Sequence, residues 1–376
     1  MKICLIIPSY FPAIEYGGPI YAVRSFVKFL SINCEVNVHT TTVRQNPKLI
    51  LSDYEIIDEG VSVRYFDHKF FVKNTIEMYG NIRAAELVCI NSIFSFFCIF
   101  SLLLAFICRK KIVLQPRGSL SQFGLSRRRY LKIFFLKIYR IFLRKEDIIL
   151  VTSSAEALEA KIFFNSKCRI CILPNGFEEP VSPRSEPSVA LKQSVKNIAF
   201  VGRFHKKKRI DLLIKSISVL KCEWPDVNFM LTLYGFDDGN INEIQKLVNR
   251  LGLWSNVNFK FGLTRDEIIQ ELSTFDCLAL VSENENFGNV ILESLYAGTP
   301  VVFSKSLPWN NLEKLGLGLG TDAYPTDIAK TIYEACNLKG YAEKHARSHV
   351  LRNFGWEIVT TNFLEVVNDI SHHSDV

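Results

Sequence analysis

Several things are missing from this sequence, and each absence narrows what the chain is. No segment repeats at a fixed period and none is a Gly/Pro-rich tract, which excludes solenoid, collagen-like and low-complexity architectures. The opening MKICLIIPSYFP has too short an apolar run for a secretory leader and meets Pro8 at once, so it reads as a first β-strand. Ten cysteines are present, yet no second Cys pair or His pair stands at zinc spacing to Cys168 and Cys171, which form a C-x-x-C. These two flank a strand-like run (Ile170, Ile172, Leu173) and read as core thiols rather than a metal or redox pair. Free thiols of this kind imply a reduced, cytosolic compartment.

Charge is missing from residues 87–107, LVCINSIFSFFCIFSLLLAFI, and Arg109-Lys110-Lys111 follow. By length this is a candidate membrane span with basic residues on its cytoplasmic side. The better expectation is a buried strand at Leu87–Ile90, a turn at Asn91-Ser92 and a packed helix at Ile93–Ile107. The next strand, Lys111–Leu114, then follows at the spacing of a βαβ unit.

What is present is an ordinary globular composition: 376 residues, 48% hydrophobic, 22% charged, with a net charge of +7. That length suggests two domains. The first half alternates strand and helix signals. Lys2–Ile7 is a strand, Gly17-Gly18-Pro19 opens a helix with Ile20, Val23, Val27 and Leu30 on one face, and Glu35–Thr42 is a strand. Asp147–Thr152 is a strand, Ser154–Phe164 a helix, and Ile170–Leu173 a strand ending at Pro174-Asn175-Gly176. Residues 178–196, with Pro180, Pro183 and Pro187, read as a linker. The alternation restarts at Asn197–Val201 and continues to Val301–Phe303. We therefore expect an α/β protein of two doubly wound, Rossmann-like domains facing a central cleft: 1–177, then 197–353, with 354–376 as a closing C-terminal helix.

The strongest local feature is SENENFGNVILESLYAGTPVV, residues 282–302. A buried strand runs through a polar loop into a helix beginning near Asn289, whose free N–H groups and dipole suit an anion, and Gly288 permits close approach. Glu285 on the loop and Glu293 a turn into the helix could each accept hydrogen bonds from sugar or ribose hydroxyls. Alone, that pair would read as solvated glutamates. Gly202-Arg203 closes another strand, however, and His205-Lys206-Lys207-Lys208-Arg209 follows, a basic cluster suited to a diphosphate. The adjacent Asp237-Asp238 reads as a turn rather than a metal site.

In their order and spacing these motifs resemble the GT-B glycosyltransferases of the retaining family 4 type. The residues that carry the resemblance are Gly17-Gly18, Leu173-Pro174-Asn175-Gly176, Gly202-Arg203-Phe204 with Lys208, Glu285-Asn286-Phe287-Gly288 with Glu293, Ala297-Gly298-Thr299-Pro300 and Phe354-Gly355-Trp356. Together they cover roughly residues 2–370. The resemblance implies a nucleotide-diphosphate sugar as donor substrate, and neither a cofactor nor a metal. Arg203 and Lys208 would hold the diphosphate and stabilise it as a leaving group. Glu285 would bind the transferred sugar, and the backbone of Phe287, Gly288 and Asn289 would support sugar and phosphate. Glu293 would bind the ribose, Gly17 and Gly18 would close on the phosphates, and the base would lie near Gly235 and Phe261–Leu263. Where many relatives carry His-Gly, this chain has Gln115-Pro116-Arg117-Gly118. Arg117 is no general base, and contacts a phosphate, orients the acceptor or is a loop residue.

Residues 108–145 hold twelve Lys/Arg and no Asp/Glu. Arg129, Lys132, Lys137, Arg140 and Arg144 are expected on one face of a helix, with Phe134, Phe135, Ile138, Ile141 and Phe142 largely on another. With Arg128 beside it, this segment points to an anionic membrane surface at the cytoplasmic face, over nucleic acid or a solvated packed helix. A lipid-linked glycan of bacterial capsule, O-antigen or exopolysaccharide assembly is then the expected acceptor. The alternatives are another GT-B activity, such as a sugar-nucleotide epimerase, or a non-catalytic membrane-bound partner protein.

Overall fold

The structure, a computed structural model, describes residues 1–12, 18–41, 54–66, 71–126, 128–164, 167–180 and 195–369. The chain divides into two compact units, Met1–Gly176 with Trp356–Val376, and Phe177–Gly355. Gly17, Arg127 and residues 181–194 of the expected linker lie outside the described residues.

The first unit runs β1 (Lys2–Ile6), α1 (Gly18–Leu30), β2 (Glu35–Thr41), β3 (Tyr54–Asp58), β4 (Val61–Phe66), α2 (Phe71–Ala84), β5 (Leu87–Asn91) and α3 (Phe96–Ile107). It continues with β6 (Lys111–Gln115), the short α4 (Gln122–Ser126), α5 (Arg129–Phe142), β7 (Ile148–Val151), α6 (Ser154–Phe164) and β8 (Arg169–Ile172). The sheet order is β3-β4-β2-β1-β5-β6-β7-β8, parallel except where β3 turns back on β4. Strands in such a sheet are buried on both faces, and β1 shows it: Ile3 and Leu5 enter one apolar cluster, Cys4 and Ile6 the other.

In the second unit β9 (Val195–Val201) leads to α7 (Ile210–Glu223), β10 (Asn228–Tyr234), α8 (Ile241–Arg250), β11 (Val257–Lys260), α9 (Arg265–Leu272) and β12 (Cys277–Leu280). Then come α10 (Asn289–Tyr296), β13 (Val301–Ser304), α11 (Asn311–Lys314), β14 (Gly318–Thr321), α12 (Pro325–Ala335) and α13 (Lys339–Phe354). Its parallel sheet is ordered β11-β10-β9-β12-β13-β14. The strand order reverses between β9 and β12, and the carboxyl ends of strands at such a switch point are where α/β sheets bind ligands.

After α13 the chain enters the last helix, α14 (Trp356–Asn368), which packs in the first unit. Trp356, Val359 and Phe363 join the cluster of α1 and β1, with Phe26 edge-on to Phe363 at 5.1 Å. This explains Gly176 in the Pro174-Asn175-Gly176 turn: a Cβ there would lie 2.2 Å from the Trp356 ring.

The uncharged run is cut as expected, although α3 begins at Phe96 rather than Ile93. Its 12 residues extend about 18 Å, short of the roughly 30 Å of a bilayer core. Among the described residues no helix is long and apolar enough to cross a membrane.

Candidate active site

At the switch point of the second unit, the loop after β9 meets the loop after β12. Lys208 closes a 3-10 turn, Lys206–Lys208, begun by the His205 side chain, which accepts the Lys207 N–H. The Lys208 ammonium donates to Glu285 Oε1, and both side chains are only 11% exposed. The Lys208 side chain passes beside Gly202, its ammonium 3.6 Å from where a Cβ would stand, an ordinary contact distance. Burial by itself pushes the Glu285 carboxyl up, but Lys208, Ser282 and Lys207 together bring it below its ordinary value. Glu285 is thus an ionised, acceptor-only group, as hydroxyl binding requires.

Lys207 stands in the same field. Burial, and after it Lys208 and Arg203, hold its ammonium below the ordinary value, while Glu285 and Asp238 act the other way. Arg203 donates from Nη1 to Asp238 Oδ2 at 3.1 Å. Sequence reasoning placed Arg203 and Lys208 here but passed over Lys207, whose only signal was its place in the basic run. It also read Asp238 as a simple turn residue. Asp237 alone is the turn-former, its Oδ1 accepting N–H groups of Gly239, Asn240 and Ile241, each at 3.0 Å.

Gly288 is left-handed (φ 85°) at the start of α10, which positions Asn289 and the first turn beside this cluster. Phe287 is a core residue: its ring packs against Trp309, whose indole N–H donates to the Phe287 carbonyl at 2.6 Å. Glu293, expected at the ribose, is held by Arg265 through one of its two oxygens. Arg265 Nε donates to its Oε1 at 3.1 Å and reaches the Glu178 carbonyl from Nη2. Burial raises the Glu293 carboxyl, with Arg265 opposing. Near Leu263, the exposed rings of Phe236 and Phe261 stand at the ends of β10 and β11, a pair of flat apolar faces of the kind on which bases stack. Phe236 had no sequence signal.

In the first unit, Gly18 starts α1. Arg117 is left-handed (φ 53°) and Gly118 follows in the same region (φ 77°). The guanidinium donates to three amide oxygens, Asn91 Oδ1 at 3.0 Å, Asn175 Oδ1 at 2.9 Å and Gln115 Oε1 at 2.6 Å. Burial, with partial compensation from Glu156, lowers it to about 10. Arg117 is therefore a tie between strand ends rather than a side chain free to reach a phosphate. With their oxygens turned to Arg117, the amides leave Asn91 Nδ2 and Gln115 Nε2 as buried donors without a partner among the described residues. Such donors suit an oxygen-rich group.

The basic helix α5 differs from its expected faces. Phe135, Leu136 and Tyr139 are buried, while Phe134 and Ile141 stand exposed on the same side as Tyr130 and Leu131. Arg128, Arg129, Lys137 and Arg140 are exposed beside them. Lys132 instead turns back, donating to the Gly124 carbonyl and lying 5.1 Å from the Phe94 ring. On the neighbouring α3, Phe96 and Ile107 are exposed as well, and Phe96 contacts Phe135 at 5.1 Å. Among the described residues no group of three or more His, Cys, Asp or Glu could hold a metal ion.

The fold and the switch-point cluster define the class: an α/β protein of two parallel-sheet, Rossmann-like domains, matching GT-B glycosyltransferase structures. Residues 182–347 match the family model described as "Glycosyl transferases group 1", so a domain of that family occupies the second unit. Among curated proteins, a D-inositol 3-phosphate glycosyltransferase of Corynebacterium urealyticum is 28% identical over 172 residues, 42% of this chain and 41% of the relative. One from an Arthrobacter species is 24% identical over 240 residues, 61% of this chain and 56% of the relative. The chain thus spans about half the length of these relatives. Anabaena HepE in complex with UDP superposes with a TM-score of 0.76 at 18% identity, covering 98% of this chain and 100% of that one. WaaG, a glycosyltransferase involved in lipopolysaccharide biosynthesis, gives 0.66 at 15% identity, covering 97% and 99%.

Proposed function

We propose that the chain is a retaining, metal-independent glycosyltransferase of the family 4 type that moves a hexosyl group from a nucleotide-diphosphate sugar to a lipid-linked glycan of a bacterial surface polysaccharide. The observation that carries this reading is the convergence of Arg203, Lys207 and Lys208 with Glu285 at the carboxyl ends of β9 and β12. In the same direction point the family match of the second unit and the HepE structures with UDP and UDP-glucose.

The chemistry follows from the charges. The bond between the sugar's anomeric carbon and the diphosphate breaks while the acceptor oxygen attacks from the same face. The acceptor's proton passes to the leaving phosphate, so no histidine base is required where Arg117 stands. Arg203 and Lys208 take up the charge that develops on the leaving diphosphate, and removing one such donor costs about 10²–10³-fold in rate. Glu285 holds sugar hydroxyls. The buried amide donors beside Arg117 in the first unit suit oxygens of the acceptor.

The acceptor's lipid would meet the exposed face of α5 and α3. There Tyr130, Phe134, Ile141 and Phe96 enter the headgroup boundary and Arg128, Arg129, Lys137 and Arg140 pair with anionic lipid at the cytoplasmic face.

Calorimetric titration of UDP, GDP and ADP, with and without EDTA, tests the donor site. One nucleotide should bind regardless of EDTA, and Arg203→Ala should weaken it about tenfold or more. No binding of any of the three to folded protein overturns the reading.

A further inference from the structure

Asp238 is unusual for a residue beside a site that would receive phosphates, because it brings a negative charge. Its place is built rather than incidental. The loops after β9 and β10 are laced together: Gly202 N–H donates to the Tyr234 carbonyl at 2.9 Å and Phe204 N–H to the Phe236 carbonyl at 2.8 Å. A Cβ on Gly235 would lie 1.9 Å from the Gly202 carbonyl oxygen, so only glycine allows the loops this close. Asp237 then anchors the start of α8 through its three accepted N–H groups, and the next residue presents its carboxylate to Arg203. Lys207 and the four charges acting on it make a cluster of three positive groups, Arg203, Lys207 and Lys208, and two negative ones, Glu285 and Asp238.

We propose that Asp238 is a positioning residue that holds the Arg203 guanidinium and competes with a diphosphate for it. The inference rests on the donor-site reading above. A phosphate group arriving at Arg203 displaces the carboxylate or shares the guanidinium with it, and in both cases meets its repulsion. A nucleoside diphosphate carries more negative charge than the same diphosphate esterified to a sugar. Asp238 therefore opposes the product more than the donor and favours product release.

The test is Asp238→Asn, which keeps the side chain's shape and removes its charge. Kd is measured by calorimetry for UDP, GDP, ADP and inorganic pyrophosphate, in the wild-type and Arg203→Ala backgrounds. The pair is about two-fifths exposed, so the expected tightening is modest, roughly three- to five-fold, with a steeper salt dependence. The gain should vanish in the Arg203→Ala background, an outcome a merely structural role would not produce. Weaker or unchanged binding in Asp238→Asn, or a gain that persists without Arg203, overturns the inference and leaves the donor site standing. If no nucleotide binds but pyrophosphate binds and is tightened through Arg203, the donor reading falls and the competition stands. If neither nucleotide nor pyrophosphate binds, both fall.

Discussion

Neutralising one member of the Lys208–Glu285 pair should destabilise the second unit by several kcal/mol, and neutralising both should restore most of it. Each side chain is 11% exposed, so each charge has lost most of its hydration and depends on the other. Glu285→Gln leaves Lys208 and Lys207 facing one another. Removing one partner of a buried pair costs about 3–5 kcal/mol. With a urea m-value near 2 kcal/mol/M, a loss of about 3 kcal/mol lowers the unfolding midpoint by about 1.5 M. Tryptophan fluorescence is the assay, because Trp224, Trp254 and Trp309 all belong to this unit. The double variant Lys208→Met/Glu285→Gln removes both buried charges and should return to within about 1 kcal/mol of wild type while failing to bind nucleotide. The pH dependence has a definite sign. The folded-state Glu285 carboxyl lies below its ordinary 4.5, so its contribution is fully present above pH 4.5 and is lost as pH falls through the folded value. A Glu285→Gln variant within about 0.5 kcal/mol of wild type, or a double variant as unstable as the single one, would refute the reasoning.

Two further outcomes check other parts of the structure. Gly176→Ala should cost at least about 1–3 kcal/mol of first-unit stability, read from Trp356 near-UV dichroism and thermal unfolding, because the new Cβ would meet a buried ring at 2.2 Å; an unperturbed Trp356 signal counts against the packing described. Replacing Arg129, Lys137 and Arg140 by Gln should weaken binding to anionic vesicles about 100-fold, at about 1 kcal/mol per charge, while Phe134→Ser should weaken it at high salt too. Equal binding of wild type to neutral and anionic vesicles would remove α5 as a lipid-facing helix.

How much of this was legible in the sequence depended on how local each signal was. The alternation of apolar strands with helical periods carried both sheets, because parallel strands buried on two faces read as continuous apolar runs. The β3–β4 hairpin escaped, although its turn, Glu59 and Gly60 with φ of 50° and 80°, is of the Gly-containing kind that two-residue hairpins use. Helix α5 was legible as amphipathic, but not which arc packs. Phe134 and Phe135 are neighbours in sequence and about 100° apart on the helix, so one is exposed and the other enters the core beside Phe96. The pairs that neutralise the site's charges were invisible for the opposite reason. Arg203 meets Asp238 across 35 residues, Glu293 meets Arg265 across 28, and Lys208 meets Glu285 across 77. The Arg265–Glu293 contact joins α9 to α10, and the other two are made by segments after strand ends; only the sheet order brings the partners together.

That pairing bears on why the charges are there at all. A buried ion pair seldom stabilises a fold more than well-packed apolar side chains of the same volume, so Lys208 and Glu285 are poorly explained as structural elements. Neighbouring positions on the same two loops, Val281 after β12 and Phe204 past β9, are filled by buried apolar side chains. The buried Lys208–Glu285 pair stands at the switch point, where backbone N–H groups at the start of α10 and the open geometry of Gly288 give an anion a further set of donors. A cluster with one net positive charge is partly neutralised by its own carboxylates, and Asp238, the more exposed of the two, is the one proposed to give way to phosphate oxygens. Arg117 in the first unit shows the contrast: its donors engaged here go to neutral amides, which hold it in place without offering an exchangeable charge. Under the proposed donor-site reading, the exchangeable carboxylate at Arg203 assigns the diphosphate to the second unit.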